Sequence, residues 1–321
     1  MSAEDGADVA RSSLKLGDRI GSGGQGDVHA IANGSLLFKE YKNPSTVNGH
    51  ALSDLVTFRQ RLNLTDRSRL DALAAWPLCR VVESRRTLGF LMRRAPAHMT
   101  WRTSTGATRL LELQYLIRPP KVGYQGVPQA TPEQRRALAL ICVETVSWFH
   151  SAGLIIGDIS QANVLWSLTP EPAVHFLDCD GFRRVGREAV QAQAATPDWN
   201  DPLAPSTDAS VDTDAYKTAL VAGRIITREP YLRPGQELTL VSGCLNERQA
   251  AAARNLFSQA AGERGARPRP GEWQTALSDR GTITLTAAAP RPKPTVDHSV
   301  LDGTRRNRTP INLRHPESRR A

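Results

Sequence analysis

Asp158 and Asn163 stand five positions apart in IIGDISQANVLW (155–166), a short apolar stretch with no His, Cys or Lys inside it, and Asp178 follows in HFLDCDGF (175–182). Phosphoryl transfer asks little covalent chemistry of a protein. It needs a carboxylate to orient an acceptor hydroxyl and take its proton, and oxygen ligands for a hard divalent cation. Asp158 suits the first task, and Asn163 with Asp178 the second. Singly, each is also an ordinary turn or capping residue.

Two features ahead of them suit the same chemistry. GSGGQGDV, Gly21 to Val28, fits G-x-G-x-x-G-x-V. Glycines let backbone amides approach phosphate oxygens without side-chain obstruction. A flexible turn gives the same pattern, and a dinucleotide fingerprint would open a helix, whereas here a strand and a hairpin are expected to follow. Lys39, in LLFKEY eleven residues after Val28, is either a solvated edge residue or a fixed positive charge for phosphates.

These residues need elements to hold them. From Leu14 onward, short apolar runs broken by glycine predict strands, and Asn33-Gly34 between two of them predicts a tight hairpin. Over 50–75 the spacing becomes helical, with Leu52, Leu55, Val56, Arg59 and Leu62 on one side and Pro77 as the stop. LCRVVES and TLGFLMRRAP predict two further strands. Thr131-Pro132 marks a helix start, with Leu138, Ile141, Cys142, Thr145, Val146 and Phe149 continuing its apolar face. NVLWSL and AVHFLD predict a second hairpin, and the rest to about residue 278 reads as mainly helical. The expected organisation is α+β: a flexible lead over 1–13, a small antiparallel-sheet lobe over 14–95, a mainly helical lobe over 96–282, and a basic Pro/Arg-rich disordered tail over 283–321.

Bulk properties narrow the classes. The 321 residues allow two domains or lobes around a large core. Four scattered cysteines, at 79, 142, 179 and 244, form no metal or disulfide pattern and predict reduced thiols in a cytoplasmic protein. MSAEDGADVARSS lacks an apolar leader core, and no run of about 18 apolar residues occurs, so neither export nor membrane insertion is expected. The net charge of +9 raises nucleic acid as a partner. Much of that surplus lies beyond residue 289, in a segment without apolar periodicity, and no basic and aromatic interleaving of a single-strand binder is present. A solvated tail accounts for the charge, and nucleic acid is not the expected partner.

From about Leu14 to Leu277 the chain resembles the protein kinase family, and at its metal motif it is similar to some bacterial protein kinases outside the main family. The resemblance implies a bilobal fold, ATP with Mg2+ or Mn2+, and transfer of the γ-phosphate to Ser or Thr hydroxyls of protein substrates. By similarity the loop of Gly21, Ser22, Gly23, Gly24, Gly26 and Val28 would cover the phosphates. Lys39 would hold the α- and β-phosphates, Asp158 would be the base, Asn163 and Asp178 would bind the metal, and Met92 would line the adenine pocket. DTDAYKTAL resembles the buried helix whose aspartate, here Asp214, pins the catalytic loop. ARPRPGEWQTAL resembles the closing helix of the large lobe, with Arg267 the matching arginine.

The chain departs from the family's pattern in places. H-R-D-x-K-x-x-N becomes Ile156-Gly157-Asp158, with Ser160 in the lysine position. On this resemblance activity should not depend on loop phosphorylation, and one cation is missing beside the transferred group. D-F-G becomes Asp178-Cys179-Asp180, with Asp180 expected to cap the next turn rather than bind metal. The acidic partner of Lys39 is expected at Asp66, with Asp71 the competitor. Asp201, in TPDWNDP, stands near the place of the acid that pairs with Arg267. G-D-x-x-x-x-N also resembles small-molecule phosphotransferases such as aminoglycoside and choline kinases, and a nucleotide-binding scaffold without activity is the third reading.

Overall fold

Short apolar runs broken by glycine build strands through much of the first hundred residues. A computed structural model describes residues 7–32, 34–193, 195–205 and 209–279. β1 (Val9–Ala10), β2 (Leu16–Ser22), β3 (Gly26–Ile31), β4 (Leu36–Tyr41), β5 (Cys79–Glu83) and β6 (Arg86–Arg93) form one six-stranded sheet in the order β1-β5-β6-β4-β3-β2. β4 lies inside it, with Lys39 opposite Val28 of β3 on one side and Phe90 of β6 on the other. β3 and β4 pair antiparallel as the hairpin signal predicts, although Asn33 itself lies outside the described residues.

Two expectations need correction. Val9–Ala10, placed in a flexible lead, pairs in parallel with Val81–Val82, and Asp8 accepts two hydrogen bonds from Arg80 at 2.8 and 2.6 Å. A two-residue strand is too short to show periodicity, so only the partner strand reveals it. The helical stretch over 50–75 is two helices, α1 (Gly49–Arg61) and α2 (Leu64–Leu73). Asn63 breaks it by accepting the Asp66 amide proton at 2.9 Å, an N-cap that starts a new helix.

Beyond the sheet, β7 (Thr100–Arg102) and β8 (Thr108–Leu110) form a small hairpin in a connection that shows no pattern in the sequence, and a short α3 (Gln114–Ile117) follows. α4 (Pro132–Ser151) starts where expected: Thr131 and Gln134 exchange hydrogen bonds in a capping box, with Pro132 at the first helical position. After α4 come β9 (Leu154–Ile155), the antiparallel pair β10 (Val164–Ser167) and β11 (Ala173–Phe176), and β12 (Arg183–Arg184), which pairs with β9. α5 (Val211–Thr227), α6 (Glu247–Gln259) and α7 (Pro270–Leu277) complete the chain's described part. The molecule is thus mixed α+β, a multi-strand sheet first and helices later. The expected boundary at 95/96 falls inside one compact unit that runs to Ser278. The basic tail lies outside the described residues apart from its approach at Asp279.

An aromatic cluster supports the segments that carry chemistry. Phe182 meets Trp76 and Phe149 edge-on at centroid distances of 5.4 and 5.1 Å, and Phe149 meets Phe176 at 5.5 Å. All four side chains are buried, so α4, β11 and the turn after Asp178 share one rigid floor. Arg267, at the start of the last helical segment, pairs with Asp201 through two guanidinium nitrogens and also reaches Asp212 at 3.1 Å. All four cysteines are free thiols buried in the interior.

His175, on β11, supplies a test of the fold. It is 1% exposed, its Nδ1 lies 2.8 Å from the Ala72 carbonyl, and its Nε2 has no partner. Burial lowers its pKa below the ordinary 6.5, against the opposing pull of the Ala72 carbonyl. A histidine held neutral stabilises the fold above the unfolded value, and that stability is lost as pH falls through about 6.5 toward the folded value. Melting temperature measured from pH 8 to pH 5 should fall on the acid side in the native chain. The fall should be smaller in His175→Asn, whose amide still donates to Ala72.

Candidate active site

The glycine-rich loop is the tight connection between β2 and β3. Gly21 pairs with Val28 and Ser22 with Asp27, and the Gly23 amide donates to the Gly26 carbonyl at 2.9 Å. Only glycine fits at position 26, because a Cβ there would stand 2.7 Å from the Glu40 carbonyl oxygen of β4. Lys42 steadies the tip by donating to the Gly23 carbonyl at 2.6 Å and to Ser22 Oγ at 3.3 Å. Gly24 faces open space.

Beneath the loop, an apolar cavity of about 430 Å³ is bounded by Gly21 and Val28 above, Leu37 and Met92 from the sheet, and Leu177 below, with Asp178 at one end. The exposed arginines Arg94 and Arg109 stand at its other margin. Asp178 also borders a small polar cavity of about 20 Å³, which it shares with Asp158, Asp180 and the loop-tip residue Gln25. The apolar and polar spaces therefore meet at one carboxylate.

Lys39 is 3% exposed, on the inner face of β4. Its Nζ donates to Asp180 Oδ1 at 2.7 Å and lies 3.5 Å from Asp178 Oδ1. Burial alone would lower the amine's pKa, but Asp180 first and Asp178 second outweigh it, and the net direction is up. Neither Asp66 nor Asp71 is the partner. Asp66 sits in the first turn of α2 and binds Asn63, while Asp71 binds Arg59 through two hydrogen bonds of 2.7 Å. Asp180 lies inside the short 3-10 turn Cys179–Gly181, whose N-cap position is Asp178, and its Oδ1 accepts from Lys39 instead of capping. Burial decides the matter: Asp180 is 3% exposed, and a carboxylate so enclosed needs a cation beside it.

Asp178 adopts φ 52° and ψ 42°, the left-handed region that non-glycine residues seldom occupy. Its side chain is 55% exposed on the cleft side. Protein packed around its own carboxyl group strips water from it and raises its pKa, with Lys39 opposing and Asp180 adding to the rise.

Asp158 lies on the turn after β9. Asn163 Nδ2 donates to its Oδ2 at 2.7 Å, and Thr196 Oγ1 donates to its Oδ1 at 2.9 Å. With its nitrogen so engaged, the Asn163 amide has its oxygen left for other partners. The Leu177 amide donates to the Asn163 carbonyl at 2.8 Å, which extends the β10–β11 pairing and sets Asn163 beside Asp178. Among the described residues no three His, Cys, Asp or Glu side chains gather into a metal-holding group. An amide oxygen and one carboxylate nonetheless suit magnesium, which keeps several waters and takes substrate phosphates as its other ligands.

The turn itself is gripped from α5. Asp214, wholly buried, accepts the Ile156 and Gly157 amide protons at 2.7 and 2.9 Å and meets His150 Nε2 at 3.0 Å. Gly157 has φ +79°, and a Cβ there would lie 2.4 Å from Gln193 Oε1, so an arginine cannot occupy the position without rebuilding the turn. The residues expected from the sequence at 39, 158, 163 and 178 are thus gathered at one cleft, with Met92 and the glycine loop along its apolar extension. Thr196, Gln25 and Lys42 join them unannounced, and Asp180, expected as a cap, joins them as the partner of Lys39 from the short 3-10 turn Cys179–Gly181.

No protein-family model matches the chain, and no curated protein matches it either. Among the described residues no helix is long and apolar enough to cross a membrane.

Proposed function

We propose that the protein is an ATP-dependent protein kinase of divergent form, with the bilobal kinase fold and Ser or Thr hydroxyls of proteins as acceptors. The observation that carries this reading is the meeting of the two cavities at Asp178. An apolar space sized for a nucleobase opens at one end onto three carboxylates and a buried lysine, beneath a glycine loop.

In this reading the adenine lies between Val28, Leu37, Met92 and Leu177, and the phosphates run under the glycine loop toward Lys39. Asp158 accepts the acceptor's proton while the new bond from the hydroxyl oxygen to the γ-phosphorus forms and the bond from that phosphorus to the oxygen of ADP breaks. Magnesium or manganese, held by Asn163 and Asp178, would supply positive charge to the β- and γ-phosphoryl oxygens. Thr196 and Asn163 fix both carboxylate oxygens of Asp158, which is the preorganisation a positioned base needs.

The acceptor side is closed in this conformation. Val190 accepts the Asn48 amide proton at 2.8 Å, Ala192 accepts from Gln25 Nε2 at 3.3 Å, and the remaining polar space holds little more than a water. Segment 187–193 must therefore shift to admit a substrate hydroxyl.

Incubation of the purified chain with γ-labelled ATP and magnesium or manganese, followed by mass spectrometry of the chain and of a generic protein substrate, tests the reading. Label on Ser or Thr supports it. Bound ATP without label under either metal moves the assignment to a binding scaffold, and label only on small alcohols or amines moves it to a small-molecule phosphotransferase.

A further inference from the structure

Lys217 is a buried cation that the scheme above does not use. It lies on α5, 4% exposed, one helical turn after Asp214, and its Nζ donates to the Gly157 carbonyl at 2.7 Å. Asp214 already takes the amide protons of Ile156 and Gly157, and the Asp158 amide donates to the Ile156 carbonyl at 3.0 Å. Both ends of the Gly157–Asp158 peptide are consequently fixed, the carbonyl by Lys217 and the amide by Ile156. A peptide plane held at both ends fixes where the Asp158 side chain leaves the backbone.

We propose that Lys217 is a positioning residue for phosphoryl transfer: by holding the Gly157 carbonyl it sets the Asp158 carboxylate at the acceptor hydroxyl. It also adds a positive charge whose strongest carboxylate influence is Asp158. The inference rests on the kinase reading.

The physical setting supports a specific role. An ammonium carries three donors, and enclosing one among apolar helix residues is costly, so a hydrophobic side chain would serve mere packing better. Burial pushes the Lys217 pKa down, and Asp158, ahead of Asp214 and Asp201, is the largest influence opposing it. Gly157 cannot hold the peptide by itself, because its left-handed φ is open to glycine and gives the turn no side-chain anchor. In the turn Ser160, 1% exposed, adds no charge.

The test compares Lys217→Met, which removes donor and charge at similar length, with Lys217→Gln, which keeps a donor, and Lys217→Arg, which keeps both. Each is assayed for melting temperature, ATP affinity, KM for ATP, kcat, and amide hydrogen exchange at residues 156–158. The expected result is a kcat lower by about 10–100-fold in Lys217→Met with ATP affinity and KM unchanged, since small misplacements of a reacting group cost on that order. Gln or Arg should recover part of the loss, and exchange at 156–158 should quicken in Met.

A folded Lys217→Met with native kcat overturns the proposal, as does a loss in which kcat, ATP affinity and melting temperature fall together in all three variants. If Met does not fold, Gln against Arg carries the comparison; failure of all three assigns Lys217 to the core alone and overturns the role. Absence of transfer by the native chain overturns the kinase reading instead. The exchange measurement then still decides whether Lys217 holds the turn: unchanged exchange at 156–158 in Met excludes it.

Discussion

Asp158→Asn is expected to remove label transfer while leaving ATP binding in place. Both oxygens of its carboxylate are held by neutral donors, Asn163 Nδ2 and Thr196 Oγ1, and among the described residues it forms no salt bridge. An amide in its place keeps the shape and the backbone turn but has no lone pair basic enough to take a hydroxyl proton. Loss of a positioned general base costs about 10²–10⁴ in rate. The residues proposed to hold the nucleotide, Val28, Leu37 and Met92 along the apolar cavity and Lys39 beside Asp178, do not include residue 158, so ATP affinity should stay near native. Rate by quantitative mass spectrometry and affinity by calorimetry separate the two quantities. Unchanged transfer in a folded Asp158→Asn would remove the base assignment.

The second large effect concerns Lys39 and Asp180. Their side chains are 4% and 2% exposed, and they meet at 2.7 Å. Removing one member of such a pair strands the other in the interior, a loss of about 3–5 kcal/mol, whereas replacing both by apolar groups is often close to neutral. Asp180→Leu should lie near the lower end of that range, because Asp178 remains 3.5 Å from the amine. Lys39→Met leaves Asp180 without its cation and should be the more damaging. The double variant Lys39→Met/Asp180→Leu should regain much of the lost stability yet bind ATP poorly, which separates the structural from the functional part of the pair. Chemical denaturation of the four chains gives the coupling directly. Additive losses would show that the two side chains do not depend on each other. The sign with pH is fixed by the raised amine: the pair's stabilisation is complete below the ordinary lysine value of 10.5 and is lost as pH rises through the higher folded value.

The pair also alters how the site is assembled. The acid that steadies Lys39 comes from the segment immediately after Asp178, not from a helix beside the sheet. Position 180 therefore orders the lysine and the left-handed turn at Asp178 together. The aromatic floor of Trp76, Phe149, Phe176 and Phe182 gives that segment a fixed seat.

Local chemistry was legible along the chain wherever neighbours in sequence decide the outcome. Gly21 to Val28 followed by a strand, Thr131-Pro132 opening α4, and the two hairpins around Gly34 and at 164–176 all follow from backbone preferences and apolar periodicity. The gathering of Lys39, Asp158, Asn163 and Asp178 was likewise anticipated from their order and residue types.

Partnerships between distant segments were not legible there. Asp66 was favoured for Lys39 by its place along the chain, yet its nearest neighbour, Asn63, claims it as part of a helix start. Asp180, 141 positions from Lys39, takes the role because the two are enclosed together. β1 is too short to announce itself, and Lys217 reads as one cation in a helix until the fold sets it against Gly157. The candidate site residues and the elements that carry them could be read along the chain, since those depend on residue type and local stereochemistry. The tertiary structure alone decided which charges face each other, because ion pairing in the interior is chosen by burial and distance in space.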